Sequence, residues 1–439
     1  MLGSLSKDEN LKASSGKSVV VEKLLGSGGQ GEVYRVKVND NKFALKWYSK
    51  QTATKRQKEI LTYQINMGMK DQRFLWPMEF VTSSSHPGLF GYLMPLRPDK
   101  FEGVPAFAAG KVDIDFSKLC LVGFNLAEAF LNLHSSGFAY QDISFGNIFF
   151  DPQNGDVLIC DNDNVVLNGE LGEILGTQRF MAPEIVLGKQ APDTLTDQFS
   201  LGILLFYIFF LHHPLEGAQE AAIKCYDSPG QYKVFGEKPV FIFHPTDGSN
   251  RPVPGVDGHD NAILYWGLYP DFFRKPFIKT FTDGIRDRNE RTTESEWRKY
   301  FIQLKDQIIY CPCGRQNFYD QEKLKLNKKL TCWDCRKQLP LPYRMKLDES
   351  GFVMLNYDTV LYPHHLDPFD HPYELGEAWA KVVQHPKDPQ KWGLHNFSPN
   401  QWTVTYPGKE PLNVAPGKTA PLISDMQIHF GKVKGIVRY

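Results

Sequence analysis

The sequence predicts an α+β chain: a β-rich first lobe, a helical second lobe, a small cysteine-bearing element and a terminal β module. Three observations lead there. From Val19 to about Tyr92, β-branched and aromatic residues fall in short runs broken by Gly, Asn and Asp, the pattern of a small sheet. From about Phe116 to Leu304 the runs lengthen and turn helical, as in Leu119–His134 and Asp197–Leu211. Four cysteines then cluster between 311 and 335, followed by about 100 residues of short strand-like runs with frequent Pro and Gly.

The elements follow in order. Residues 1–15 are polar and expected to be flexible. The first lobe, about 16–94, carries one helix near Lys55–Met67, and the second, about 98–308, is interrupted by the Pro/Gly-rich stretch Pro229–Gly258. The connector takes 309–340 and the β module 341–439, whose one expected helix is Glu374–Val383. A length of 439 residues suits several domains of roughly 100–200 residues each. Fifty Lys+Arg against fifty Asp+Glu exclude whole-chain basicity as a reason to expect nucleic acid or an anionic membrane as partner. With 42% hydrophobic and 23% charged residues, the chain can supply a core. No apolar run follows the first charges, so no secretory signal is expected and a cytoplasmic location is. The most apolar stretch, Phe199–Leu211, would reach about 20 Å as a helix against a hydrocarbon core of about 30 Å, and reads as a core helix.

The first chemical signal is Gly26-Ser27-Gly28-Gly29-Gln30-Gly31-Glu32-Val33, whose glycines let backbone N–H groups approach polyphosphate. A dinucleotide site would open a helix at the third glycine, but Val33–Val38 continues as a strand, so the loop is a hairpin lid. A lysine on a half-buried strand is ordinarily a solvated edge residue. Lys46, in Phe43-Ala44-Leu45-Lys46-Trp47, has two reasons to be otherwise: the phosphates under the glycine loop, and Glu59, the only acidic residue between Asp40 and Asp71. Further on, Asp142 and Asn147 stand five apart in a short loop, and Asp161 follows the strand Val157–Cys160. Phosphoryl transfer needs one carboxylate to orient a hydroxyl nucleophile and take its proton, plus an amide and a second carboxylate to hold magnesium on the phosphates.

In these motifs, residues from about 19 to 308 resemble the eukaryotic-type protein kinase catalytic domain, in a form similar to the serine/threonine kinases of bacteria and their phages. The resemblance implies a two-lobed kinase fold over 16–308, with ATP and Mg2+ at two sites and protein substrates. It implies that Gly26, Gly28, Gly31 and Val33 form the nucleotide lid, that Ala44 and Lys46 supply the adenine roof and phosphate lysine, and that Glu59 pairs with Lys46. Asp142 takes the place of the catalytic base, Asn147 of the second magnesium ligand and Asp161 of the main one, while Met94 lies at the hinge between lobes. Gly176-Thr177 before Met181-Ala182-Pro183-Glu184 matches the substrate-facing segment; Asp197 matches the support of the catalytic loop, and Arg291 the arginine that bonds Glu184.

Four departures bear on function. Tyr140-Gln141-Asp142 lacks the arginine that reads a phosphorylated activation loop, and no Ser, Thr or Tyr lies between Asp161 and Gly176. Both predict catalysis without activation-loop phosphorylation. Asp161-Asn162-Asp163 loses the usual apolar plug and hinge glycine, and Asp163 becomes a second candidate for the metal. Ser144 stands where serine/threonine kinases carry a lysine, so the Ser/Thr assignment rests on Thr177, whose hydroxyl is expected to reach Asp142. An ATP-binding pseudokinase scaffold would be expected to lose Lys46, Asp142, Asn147 or Asp161, and a small-molecule phosphotransferase would not keep the Met181–Glu184 motif with Arg291; the sequence retains all of these.

Cys311-Pro312-Cys313-Gly314 and Cys332-Trp333-Asp334-Cys335, eighteen residues apart, resemble a zinc ribbon with its first turn one residue short. Four filled ligand positions imply a structural Zn2+. Cys120, Cys160 and Cys225 are expected as buried core thiols, and Pro363-His364-His365 with His371 as a polar loop. The terminal module is expected to be a β-sandwich. Its stretches 393–398, 402–404, 414–417 and 428–431 resemble the second half of a forkhead-associated domain, which implies a protein-contact module with phosphothreonine as one ligand.

Overall fold

The computed structural model of the chain describes residues 3–170, 172, 176–348 and 351–439. They divide into two compact units, the first of Met1–Asp113, Asn125–Ala262 and Phe277–Glu294, the second of Ile114–Phe124, Ile263–Pro276 and Ser295–Tyr439.

The first unit begins with a closed six-stranded barrel in the order β1-β2-β3-β4-β6-β5, formed by β1 (Asn10–Ala13), β2 (Ser18–Ser27), β3 (Gly31–Val38), β4 (Asn41–Tyr48), β5 (Glu79–Thr82) and β6 (Phe90–Pro95). The first fifteen residues were expected to be flexible; instead β1 pairs with both β2 and β5 and closes the barrel. The cause is the alternation of Leu11 and Ala13, which point inward and are buried together with Leu5. The same alternation gives β4 two faces. Leu45 and Trp47 fill the barrel with Val19, Val36 and Val81, while Ala44, Lys46 and Tyr48 face the other way.

Helix α1 (Lys55–Met67) starts where Thr54 accepts a hydrogen bond from the Gln57 N–H and ends at Gly68, whose φ of 65° suits glycine. Its buried face is Gln57, Ile60, Leu61 and Gln64. The helical part of the unit is organised by Thr194–Phe210, which Asp193 caps reciprocally with Thr196. That helix is buried almost all round, and its Phe206 and Phe210 pack on Phe241, Phe277 and Phe281.

The boundary expected at 308 is not where the contacts divide. In the second unit, Phe116, at the start of the helix Phe116–Ser135, packs on Tyr269, Phe318 and Trp333, so helical turns from the expected second lobe belong with the cysteine-bearing segment. Beyond it lie a six-stranded and a four-stranded antiparallel sheet whose inward residues, among them Met345, Val382, Leu394, Trp402 and Val437, share one core. The helix expected at Glu374–Val383 is absent. Gly376 interrupts it, and the period-two burial of Ala380 and Val382 makes Ala380–His385 a strand.

Candidate active site and cysteine centre

The glycine loop joins β2 to β3 as a hairpin, with the Gly28 N–H donating to the Gly31 carbonyl at 2.8 Å. Gly31 has no substitute there, because a Cβ would lie 2.1 Å from the Trp47 carbonyl oxygen. Under the loop, Ala44 and Met94 are register partners across β4 and β6. With Val33, Leu96, Phe149 and Leu158 they form an apolar cluster suited to a flat heterocycle.

Lys46 is 3% exposed, and its Nζ lies 3.4 Å from Asp161, 2.9 Å from Asp163 and 2.7 Å from the Gln30 side-chain oxygen. Burial works against its ammonium, yet Asp163 and Asp161 together hold its pKa above the ordinary lysine value.

The expected pair of Lys46 with Glu59 is not formed. Glu59 is half exposed and lies 3.9 Å from Arg56 on its own helix. The helix geometry explains this. At 100° per residue, Glu59 points about 150° away from the face made by Gln57, Ile60, Leu61 and Gln64. The helix residue that faces the site is Gln57, which donates to the Tyr48 hydroxyl at 3.1 Å and to the Asp163 carbonyl at 3.0 Å. Gln64 donates to the carbonyls of Asn162 and Val165 at 2.9 and 2.6 Å. The signal was present in the sequence: Ile60-Leu61 marks the inward face, and Gln57 and Gln64 lie on it at i−3 and i+3.

Asp142 and Asn147 lie on one short loop. The Thr177 hydroxyl donates to Asp142 Oδ1 at 2.9 Å, and Asn147 Nδ2 donates to the Asp142 carbonyl at 2.9 Å. Burial pushes the Asp142 carboxyl above the usual range and the nearby Asp161 charge adds to this, while the Thr177 and Asn147 hydrogen bonds pull it down. Asp161 sits in a left-handed conformation with φ 52°, its carboxylate about one-third exposed and its pKa also raised by burial. The second candidate for the metal, Asp163, is fully buried and both its oxygens are taken: Oδ1 and Oδ2 by Lys46, Oδ2 also by the Tyr48 hydroxyl. Its carboxylate is therefore not open to a cation. Asp161 and the amide oxygen of Asn147 are the hard oxygens that suit Mg2+.

The supporting residues meet as well. Asp197 accepts the N–H groups of Tyr140 at 2.5 Å and Gln141 at 3.0 Å, and His134 bridges it to Glu294. Arg291, wholly buried, grips both oxygens of Glu184 at 2.9 Å and also bonds the carbonyls of Leu195 and Gly284. Gln141, in the place of the phosphate-reading arginine, donates to the Glu170 carbonyl. Leu171 and residues 173–175, inside the segment expected to need no phosphorylation, lie outside the described residues.

In the second unit the four cysteines converge, with ligating atoms within 4.8 Å of one another. Cys311 and Cys335 sulfurs are 3.5 Å apart, and Cys313 and Cys332 3.7 Å. These are too long for disulfides, and near the edge of about 3.8 Å of a tetrahedron with Zn–S bonds of about 2.3 Å. Asn317 donates to the Cys332 sulfur at 3.5 Å as an outer partner. Of the three dispersed thiols, Cys120 is buried and Cys160 half-buried. Cys225, expected in the core, is exposed, because it lies in the connection between the short helices Ala218–Ala221 and Ser228–Tyr232.

The histidine turn is also buried rather than a polar loop, and Asp306, His364 and His365 come within ligating distance. It is a poor metal site. His365 Nδ1 accepts the Tyr362 N–H, so its other nitrogen carries the proton and faces Asp306 at 3.2 Å.

Comparison with known proteins matches the family model described as protein kinase domain to residues 19–239. Serine/threonine-protein kinase SCH9 of Candida albicans is 29% identical over 220 residues, 46% of this chain and 26% of that protein. The Saccharomyces cerevisiae protein of the same name is 28% identical over 199 residues, 42% and 23% of the two chains. Serine/threonine-protein kinase sck2 of Schizosaccharomyces pombe is 27% identical over 201 residues, 42% and 29%. This chain thus spans about a quarter of the length of these relatives.

Proposed function

The chain belongs to the protein kinase domain family, and from that premise we propose that it transfers the γ-phosphoryl group of MgATP to Ser/Thr hydroxyls of proteins. The observation that carries the reading is the convergence of Lys46, Asp161, Asn147 and Asp142 beneath one glycine hairpin. The apolar cluster of Val33, Ala44 and Met94 takes the adenine, and the hairpin N–H groups and Lys46 take the phosphates. Magnesium held by Asp161 and Asn147 would neutralise phosphate charge. Asp142 accepts the proton of the acceptor hydroxyl as its oxygen bonds to the γ-phosphorus, and the bond to the β-phosphate oxygen breaks to release ADP. The Thr177 contact with Asp142 supports the Ser/Thr preference, as do the names of the matched relatives.

Activity independent of activation-loop phosphorylation belongs to the same reading. Gln141 replaces the arginine, is satisfied by a backbone carbonyl, and no hydroxyl residue lies between Asp161 and Gly176. The direct test is purified protein with MgATP and a generic protein acceptor. Asp142→Asn should bind ATP but transfer no phosphate, and phosphatase treatment should leave the wild-type rate intact. Transfer by Asp142→Asn at the wild-type rate would remove that residue from its role, and loss of all activity on phosphatase treatment would overturn the independence.

The cysteine centre is read as a structural zinc site, supported by four sulfurs within 4.8 Å of one another, two pairs of them 3.5 and 3.7 Å apart. About one zinc per chain is expected, lost in Cys332→Ser, and folded metal-free protein would sink the assignment. The terminal β module is read as a protein-contact domain. Its arginines are Arg344 and Arg438, both on strands, with Arg438 paired to Asp425. That leaves no loop arginine to read a phosphate, which favours plain protein contact. Saturable binding of a phosphothreonine peptide by the full chain would reverse that preference.

A further inference from the structure

On the kinase reading above, the lysine that grips the nucleotide phosphates needs a fixed carboxylate to orient it, and protein kinases supply one from the helix after its strand. In this chain the inward position of that helix is Gln57, an amide, and Glu59 points away. We infer that Asp163 has taken over the task, so that the lysine-orienting carboxylate comes from the segment after the magnesium ligand rather than from α1.

The geometry supports this at each contact. Asp163 Oδ1 and Oδ2 lie 3.0 and 2.9 Å from Lys46 Nζ, closer than Asp161. Its side chain is wholly buried, so the pair is neither screened by salt nor shared with solvent. Oδ2 is fixed from the other side by the Tyr48 hydroxyl, and the Asp163 carbonyl accepts from Gln57. Asp163 is thus held by three partners on two elements, its carboxylate by Lys46 and Tyr48 of β4 and its carbonyl by Gln57 of α1. The helix that lost its charge still does a service: Gln57 and Gln64 make three hydrogen bonds to the main chain of Asn162, Asp163 and Val165 and hold the segment in place. One negative charge beside Lys46 is conserved, and only its origin has moved. Asp161, the more distant partner of Lys46 at 3.4 Å, keeps its partly exposed carboxylate within reach of a metal.

Asp163 is a positioning residue, and the test must separate that from mere folding. Four variants of the full chain, Glu59→Ala, Asp163→Asn, Tyr48→Phe and the double variant Asp163→Asn/Gln57→Glu, are compared for MgATP affinity and for kcat and KM of phosphate transfer. Glu59→Ala should stay within about twofold of wild type on both readouts. Asp163→Asn should lose about a hundredfold in kcat/KM, the scale set by losing one preorganised charge contact, with part of the loss in ATP affinity. The double variant returns a carboxylate to the helix face and should regain about tenfold, a rescue that a purely structural role would not give.

If Glu59→Ala falls as far as Asp163→Asn, or Asp163→Asn leaves affinity and rate unchanged, the inference is overturned. Should Asp163→Asn fail to fold, Tyr48→Phe decides, because it loosens Oδ2 without changing any charge. A fall there with Glu59→Ala intact supports the assignment, and the reverse pattern refutes it. A wild type that binds MgATP but transfers nothing would refute the kinase reading alone, since the ATP affinities of the variants still discriminate Asp163 from Glu59.

Discussion

His134 offers a quantitative test of how the catalytic loop is held. It is buried between Asp197 at 3.1 Å and Glu294 at 2.7 Å, and Asp197 in turn accepts the N–H groups of Tyr140 and Gln141 just before Asp142. Burial alone would lower the imidazole pKa, but the two carboxylates overcome it and raise the value from 6.5 to about 9. At about 1.4 kcal/mol per tenfold change in proton affinity, the charged ring contributes about 3 kcal/mol of stability. Because the folded value lies above the unfolded one, this contribution is complete below about pH 6.5 and disappears as pH rises through about 9. The wild type should therefore lose about 2 kcal/mol between about pH 7 and pH 9 from this group alone. His134→Gln keeps hydrogen-bonding capacity but cannot titrate, so urea unfolding followed by circular dichroism should show its deficit against wild type shrinking over that interval. Parallel stability curves for the two proteins from pH 7 to 9 would refute the charged-bridge account.

Arg291→Met should destabilise the first unit by about 3 kcal/mol, because it strands a partly buried Glu184 that Arg288, at 3.1 Å, only partly compensates; thermal melts of the variant check this, and a loss under about 1 kcal/mol would count against the clamp. Gly176→Ala should cost more than Gly188→Ala, since both have positive φ (98° and 64°) but only at 176 would the Cβ meet a backbone atom, the Gln141 carbonyl oxygen at 2.5 Å; equal melting temperatures would contradict it. The acid limb of the kcat/KM pH profile should lie above the ordinary aspartate range, because burial raises Asp142, and Thr177→Val, which removes a hydrogen bond that lowers it, should move that limb higher still.

How much of this was legible in the sequence depended on whether chemistry or packing fixed the residue. Lys46, Asp142, Asn147 and Asp161 could be singled out because phosphoryl transfer demands those residue types in that order, and the structure brings them under one hairpin. Glu59 was selected by elimination, as the one acid in its stretch, whereas the inward face of α1 is set by the Thr54 cap and the Ile60–Leu61 pair. Asp163 could be noticed as an unusual residue but not assigned, since its bond to Lys46 spans 117 positions. The barrel-closing role of β1 was hidden for a similar reason. Two inward residues, Leu11 and Ala13, are too short a signal until β5 supplies the partner. The terminal helix failed on period: Ala380 and Val382 alternate, and Gly376 should have weighed against it. The contact division within the chain was not legible, because the helix Phe116–Ser135 runs across it and contacts like Phe116 on Trp333 follow no local rule.

The pairing of Lys46 with Asp163 bears on how the site could be regulated. Two carboxylates flank Lys46, and the one with both oxygens occupied, Asp163, is also the one without solvent access. Inverting the segment 161–165 would pull a buried carboxylate off Lys46, a step that costs about 3–5 kcal/mol for a broken buried pair, and would also break the Gln57 and Gln64 bonds to its backbone. The glycine hinge that would ease such a movement has been replaced by the very residue that anchors it. The proposal of activity without loop phosphorylation fits a site so fastened, and the loop between Asp161 and Gly176 offers no hydroxyl to phosphorylate.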